Sequence, residues 1–312
     1  MQRAATVDAF AAARREPGSA VTRLARFVLE RFPPARYGTL IAALVLCGAA
    51  GAALDGGEVL RIGWNQAWAA IACALAFVTL RVLDELRDEA ADRMGRPDRP
   101  LPRGLVSRAE LRALAVGAAF AGAAVAAALG PAALAWYGLA LGQVWLLDLG
   151  GDRRPAVLRG MVAAALLHSG IVPTVLLVAW AATAVPSASA VPAATLLLVW
   201  GAGLALEVGR KTYAAGEERP GVATYSAALG RSRALALVAL FLAVTGTGAA
   251  VLAFAVGVSV PVAVLPLVAA LAVSSVLIAA SARIGTGALG AGVPLAVLAA
   301  LLWPVMLAWG FP

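Results

Sequence analysis

Apolar runs of about 20 residues, the length at which a helix crosses a bilayer, recur along this chain. They lie near 38–54, 64–83, 109–129, 132–149, 157–181, 190–207, 233–256, 260–282 and 288–309. In hydrocarbon every backbone N–H and C=O must bond internally, so a spanning segment is either a helix or a strand of a closed barrel. Barrel strands need about 10 residues of strict alternation, and these runs are longer and aperiodic. The expectation is an all-α integral membrane protein. Nine transmembrane helices over residues 38–312 follow a cytoplasmic segment, 1–37. Composition agrees: the chain is 62% hydrophobic and only 13% charged, against about 25% charged for a soluble domain.

The 25 Lys and Arg residues orient this bundle. With the N-terminus inside, seven precede the first helix. All but one of the others lie in or beside the loops after helices two, four, six and eight, and only Arg61 falls outside. This positive-inside pattern predicts a multi-pass cell-membrane protein with the N-terminus cytoplasmic and the C-terminus outside. The net charge of +8 then faces anionic headgroups, and nucleic acid is not an expected partner. Residues 1–37 lack the pattern of a signal peptide. Leu24, Phe27, Val28 and Phe32 share one helical face, so 20–32 is expected to be an interfacial helix. Cys47 and Cys73 fall inside spans and are expected to be apolar fillers.

Against this background, Arg81–Gly104 gathers six carboxylates and six arginines. Asp84, Asp88 and Asp92 stand at i, i+4 and i+8. Each step of four drifts about 40° on a helix, so the three line one face, flanked by Glu85 and Glu89. Like charges at that spacing repel and invite a cation between them. Hard oxygen ligands with open positions suit Mg²⁺, which takes one or two carboxylates plus substrate phosphates. A solvated helical face, with Arg87, Arg93 and Arg96 as partners, is the plain alternative. A second charged segment, LEVGRKTYAAGEERP from Leu206, follows helix six and so shares the same membrane face. It carries Glu207, Glu217 and Glu218 with Arg210, Lys211 and Arg219. Carboxylates for metals, with Arg and Lys for outer oxygens, suit a diphosphate. Apolar helices above would take a hydrocarbon tail. The two segments have similar layouts, which suggests a weak internal repeat of four helices.

DELRDEAAD at Asp84–Asp92 resembles the first aspartate-rich motif of the UbiA prenyltransferase superfamily, N-D-x-x-D-x-x-x-D. Asp84 stands in the Asn slot, and Glu85, Asp88 and Asp92 stand in the Asp slots. RPLPRGLVS from Arg99 is similar to the run that follows that motif in the family, and GVATYSAALG resembles the end of the second motif. In the second segment, Glu207-x-x-x-Lys211 followed by Glu217-Glu218 departs from the usual aspartate pattern. The resemblance implies a UbiA-like bundle with a cytoplasmic-side site. There a polyprenyl diphosphate loses its diphosphate to Mg²⁺ assistance, and an aromatic or lipid-like acceptor captures the allylic cation. It implies metal ligands among Asp84, Glu85, Asp88, Asp92, Glu207 and Glu217, and diphosphate contacts from Arg99, Arg210, Lys211 and Tyr213. Asp84, Asp88, Asp92 and Lys211 would be catalytic. Membrane lipids would be further partners.

The single histidine, His168, is expected to be an interhelical hydrogen-bonding group more often than a catalyst. Gln143 is expected to bridge helices, Asp148 and Asp152 to sit at headgroup level, and Tyr213 and Tyr225 to belong to the interfacial belt. GTGALGAG, from Gly285, is a close-packing signal. Two other functions stay open. A terpene cyclase would share the ionisation without an external acceptor. A transporter would place its ionisable groups near the bilayer midplane, and a scaffold would need no paired acid segments.

Overall fold

The computed structural model describes residues 18–148, 161–219, 222–279 and 286–310. Asp152 and most of GTGALGAG fall outside them or are not described at side-chain level. The described residues form helices and no strand. In chain order these are α1 Ala20–Arg31, α2 Pro34–Gly56, α3 Trp64–Gly95, α4 Arg108–Leu129, α5 Pro131–Asp148, α6 Met161–Ala181 and α7 Ala190–Arg210. A 3₁₀ turn at Ala215–Glu217 and α8 Tyr225–Leu229 precede α9 Arg231–Ala255, α10 Val260–Ala263, α11 Leu265–Ala279 and α12 Thr286–Gly310. Eight stretches among the described residues are long and apolar enough to cross a membrane. The fourth expected span is a shorter apolar helix, Pro131–Leu147. The eighth is interrupted at Val264, two residues before Pro266, which has no N–H to donate to the carbonyl one turn back.

Lipid tails are as apolar as leucine, so close packing, more than burial, draws the helices together. Small residues provide it. A side chain on Gly248 of α9 would collide with the Leu198 backbone of α7, and one on Gly51 of α2 would collide with the Trp180 ring of α6. Helices α2, α6 and α7 form the middle of the bundle. α3, α4 and α5 lie to one side, α9 and α11 to another, and α12 closes against α2 and α7. At the N-terminal end of α3, Gln66 donates to Thr183 Oγ1 at 3.0 Å, and Asp55 at the end of α2 accepts from the Ser187 amide at 2.8 Å.

The amphipathic α1 appears where the sequence places it. Ser19 caps it by accepting from the Thr22 amide at 3.2 Å. Phe27 is buried among Val82, Leu101, Leu105, Val106 and Leu111. The RPLPRG run beneath is a compact turn. Gly104 at φ +86° provides the left-handed backbone, and the Leu105 amide donates to Pro100 O at 2.9 Å. Ser107 then opens α4 with a reciprocal capping pair to Glu110.

Candidate active site

The C-terminal half of α3 presents two faces to two environments. One opens into a cavity of about 610 Å³ walled by α2, α3, α6, α7 and α12. Its lining is mainly aliphatic, including Leu40, Phe77, Val172, Val199 and Leu298. Its charged residues are Arg36, Arg81, Asp84, Glu207 and Arg210, with His168 and Ser169 beside them. Asp84 is buried and accepts from Arg87. Glu207, also buried, accepts from Arg210 and from Lys211 Nζ at 2.8 Å, and its Oε2 lies 3.9 Å from His168 Nε2. Thus α3 and α7, more than a hundred residues apart in sequence, bring Asp84 and Glu207 to one cavity.

The other face lies under α1. Glu85 is 1% exposed and accepts from Arg31 Nε at 2.8 Å. Burial and the nearby Arg81 guanidinium pull the Arg31 pKa below its ordinary value, and Glu85 pushes it back up. Asp92 is buried against Arg99. Glu89 pairs with Arg93 at 2.6 Å and with Arg108 at 3.0 Å. Asp88, half exposed, lies 3.4 Å from Arg87 Nε. The three aspartates therefore do not share one environment. Two steps of about 40° turn Asp92 away from Asp84's side of the helix to meet Arg99.

The rest of the second segment stands apart from the cavity lining. Tyr213 accepts from Arg96 Nη2 at 3.3 Å, and its amide donates to Ser226 Oγ at 2.8 Å. Glu217 lies exposed in the 3₁₀ turn, where its carboxylate accepts from the Ala214 amide at 3.4 Å. Tyr225 is buried beneath the loop, and burial raises its hydroxyl's pKa.

Three cavity residues escaped the sequence reading. Arg36 falls among the orienting arginines, the sequence gives Arg81 no role beyond the charged stretch it opens, and His168 is expected as an interhelical contact. A usable signal existed for Arg81, since an arginine inside a transmembrane helix costs about 2.5–3.5 kcal/mol on insertion scales and marks a functional position by default.

The donor set bears on whether a divalent ion fits. Among the described residues, no group of three or more Asp, Glu, His or Cys side chains is arranged to hold a metal ion. Mg²⁺ needs no such cage. It takes one or two carboxylates and completes an octahedron with water and phosphate oxygens. Asp84 and Glu207, on facing helices at one cavity, suit that mode.

A family model described as the UbiA prenyltransferase family matches residues 43–284. No curated relative matches the sequence. Among solved structures, the chain resembles one reported for a digeranylgeranylglyceryl phosphate synthase in membranes. The TM-score is 0.64 at 13% identity, over 92% of this chain and 99% of that one. It also resembles the apo structure of a UbiA homolog from Aeropyrum pernix K1, with TM-score 0.62 at 19% identity over 84% and 96% of the two chains. At such identities the likenesses establish a shared fold. The family match covers most of the sequence and includes both charged segments, so this multi-pass helical protein belongs to the UbiA prenyltransferase family.

Proposed function

We propose that the protein transfers a prenyl group from a polyprenyl diphosphate to an aromatic or lipid-like acceptor, with Mg²⁺ assistance, at the cytoplasmic face of the cell membrane. The observation that carries this is the meeting of Asp84, Glu207 and Arg210 at one cavity whose remaining wall is mainly hydrocarbon. A diphosphate head fits the charged part and a prenyl tail the apolar part. The charge distribution supports the inward orientation, since 24 of 25 basic residues fall on that side.

Asp84 and Glu207 would hold Mg²⁺, which when bound supplies Lewis-acid stabilisation of the departing diphosphate. Glu85, Asp88, Asp92 and Glu217, also offered by the family pattern, line no part of the cavity. Arg210 and Lys211 bind the diphosphate's outer oxygens. Both already sit against Glu207, which holds them in place before substrate arrives. In the transfer, the allylic C–O bond breaks and its electron pair leaves with diphosphate. The allylic carbon then bonds to the acceptor, which gives up a proton. Leu40, Phe77 and Val172 exclude water, so the cation meets the acceptor before it meets solvent.

The test is diphosphate release from labelled prenyl diphosphates by purified protein, with and without divalent ions and membrane lipid extract. Divalent-dependent release with a labelled adduct supports transfer. Release with a cyclised hydrocarbon and no adduct assigns the site to cyclisation. No release from any chain length rejects both.

A further inference from the structure

Arg87 stands on α3 one turn beyond Asp84, outside the cavity lining, with three acceptors around it. Its Nη2 donates to Asp84 Oδ1. Its Nε lies 3.4 Å from Asp88 Oδ1, and its Nη1 lies 3.5 Å from the Leu147 carbonyl, in the last turn of α5, where the helix dipole favours a cation. The other cavity carboxylate is covered in the same way, since Glu207 accepts from Arg210 at i+3 and from Lys211 at i+4. Arg36 and Arg81 also lie on the lining. Five cationic side chains therefore stand against two cavity carboxylates, or against three with Asp88, which meets Arg87 from outside the cavity.

That balance decides what the site attracts. A free divalent cation meets net positive charge and two carboxylates that already hold guanidinium or ammonium partners. A diphosphate reverses the balance and offers Arg210 and Lys211 oxygens in place of those of Glu207. Arg87, outside the lining, has no such outlet. It has Asp88 and the last turn of α5 beside it instead, and these keep its charge compensated once Asp84 turns to a metal. We propose that Arg87 is a positioning residue that fixes the order of loading. It holds Asp84 against free Mg²⁺ and yields it to Mg²⁺ that arrives with diphosphate, while Asp88 and α5 retain the guanidinium. This order rests on the Mg²⁺ site of the transfer reading above, and it gives Asp88 a part in that site without contact to the metal.

Melting of the full chain in detergent reads binding without turnover, because a ligand of the folded state raises the melting temperature according to its concentration relative to Kd. The protein is melted with MgCl₂ alone, with inorganic diphosphate alone and with both. The parent should respond weakly to Mg²⁺ alone and strongly to the pair. Arg87→Gln should tighten binding of Mg²⁺ alone about tenfold, the effect of removing one charged hydrogen bond that competes for the carboxylate. An arginine that only held the fold would lower melting equally in all three conditions. Asp88→Asn should weaken the Mg²⁺–diphosphate response about threefold in the parent and not in Arg87→Gln, because it acts through the guanidinium. Equal loss in both backgrounds makes Asp88 a direct ligand and overturns its part as an anchor. Arg87→Lys keeps the charge but loses the planar fork, so it should tighten Mg²⁺ alone about threefold, and it carries the test if Arg87→Gln fails to fold. A parent that binds Mg²⁺ equally well with and without diphosphate, or folded Arg87 variants with the parental response to Mg²⁺ alone, overturn the order and leave the metal site standing. A parent that responds to Mg²⁺ in no condition refutes the metal site itself, and the order with it.

Discussion

Asp84 and Glu85 are consecutive on α3, and both are buried, yet they answer to different partners. Asp84 faces an open cavity with Glu207, Arg210 and His168 around it. Glu85 faces a closed seam in which α1 supplies Arg31 and packs Phe27 over the same helix. A carboxylate beside a cavity is available to a ligand. One sealed against an arginine by a docked helix holds the fold. The family pattern assigns its first acidic slot to Glu85, whereas the cavity belongs to the residue before it.

The largest expected difference is in catalysis. Asp84→Ala should lower diphosphate release per folded molecule by about a thousandfold, roughly 4 kcal/mol of barrier, with a smaller fall in detergent melting temperature than Glu85→Ala, because its partner Arg87 is more exposed than Arg31. Glu85→Ala should do the reverse. Removing one member of a buried pair strands the other and costs about 3–5 kcal/mol, so melting should fall well before release per folded molecule does. Loss of release in a fully stable Glu85 variant would erase the contrast.

Next is the pair on α7. Combining Glu207→Lys with Lys211→Glu keeps an i, i+4 ion pair, worth about 0.3–0.5 kcal/mol, but removes a carboxylate from the cavity. Release per folded molecule should fall about a hundredfold, and melting should fall as well, because a lysine at buried position 207 stands against Arg210. A double variant that retains activity and Mg²⁺ dependence makes the pair structural.

Asp92 sharpens the boundary between the two regions. Its pairing with Arg99 puts it with the seam, so Asp92→Ala should destabilise by about 3 kcal/mol and slow release no more than about tenfold. A stable but inactive Asp92 variant moves the boundary and returns Asp92 to the metal set.

The smallest effect lies at the rim of α1. A hydrogen bond from Arg103 holds the Glu30 carboxyl below its ordinary pKa of 4.5. A depressed carboxyl stabilises above its unfolded value and loses that contribution as pH falls through the folded one. The pair is partly exposed, so solvent screening keeps the contribution below about 1 kcal/mol. Melting curves of the parent and Glu30→Gln should differ at neutral pH and converge below pH 4.5.

Much of this was legible in the sequence. Apolar runs located the helices, because hydrocarbon leaves a chain few other options. The spacing of Asp84 and the chemistry of Glu207 pointed to a shared polar site. Helical periodicity could not say which of Asp84, Glu85 and Asp92 meets a cavity. That depends on where α1 lands, and Phe27 meets Val82 and Leu111 only in three dimensions. Pro131–Leu147 shows a different limit, since a run expected to span falls short of the other eight in length.

The central claim is that the cavity between α3 and α7 is where a prenyl diphosphate ionises. Its most direct measurement is Mg²⁺-dependent diphosphate release from a labelled prenyl diphosphate, run in parallel on the parent, Asp84→Ala and Glu85→Ala and normalised to folded protein. The account predicts release by the parent, a loss of about a thousandfold in Asp84→Ala, and near-parental release from the folded fraction of Glu85→Ala. Unimpaired release by Asp84→Ala, with loss in Glu85→Ala, would contradict it and place the chemistry on the other face of the helix.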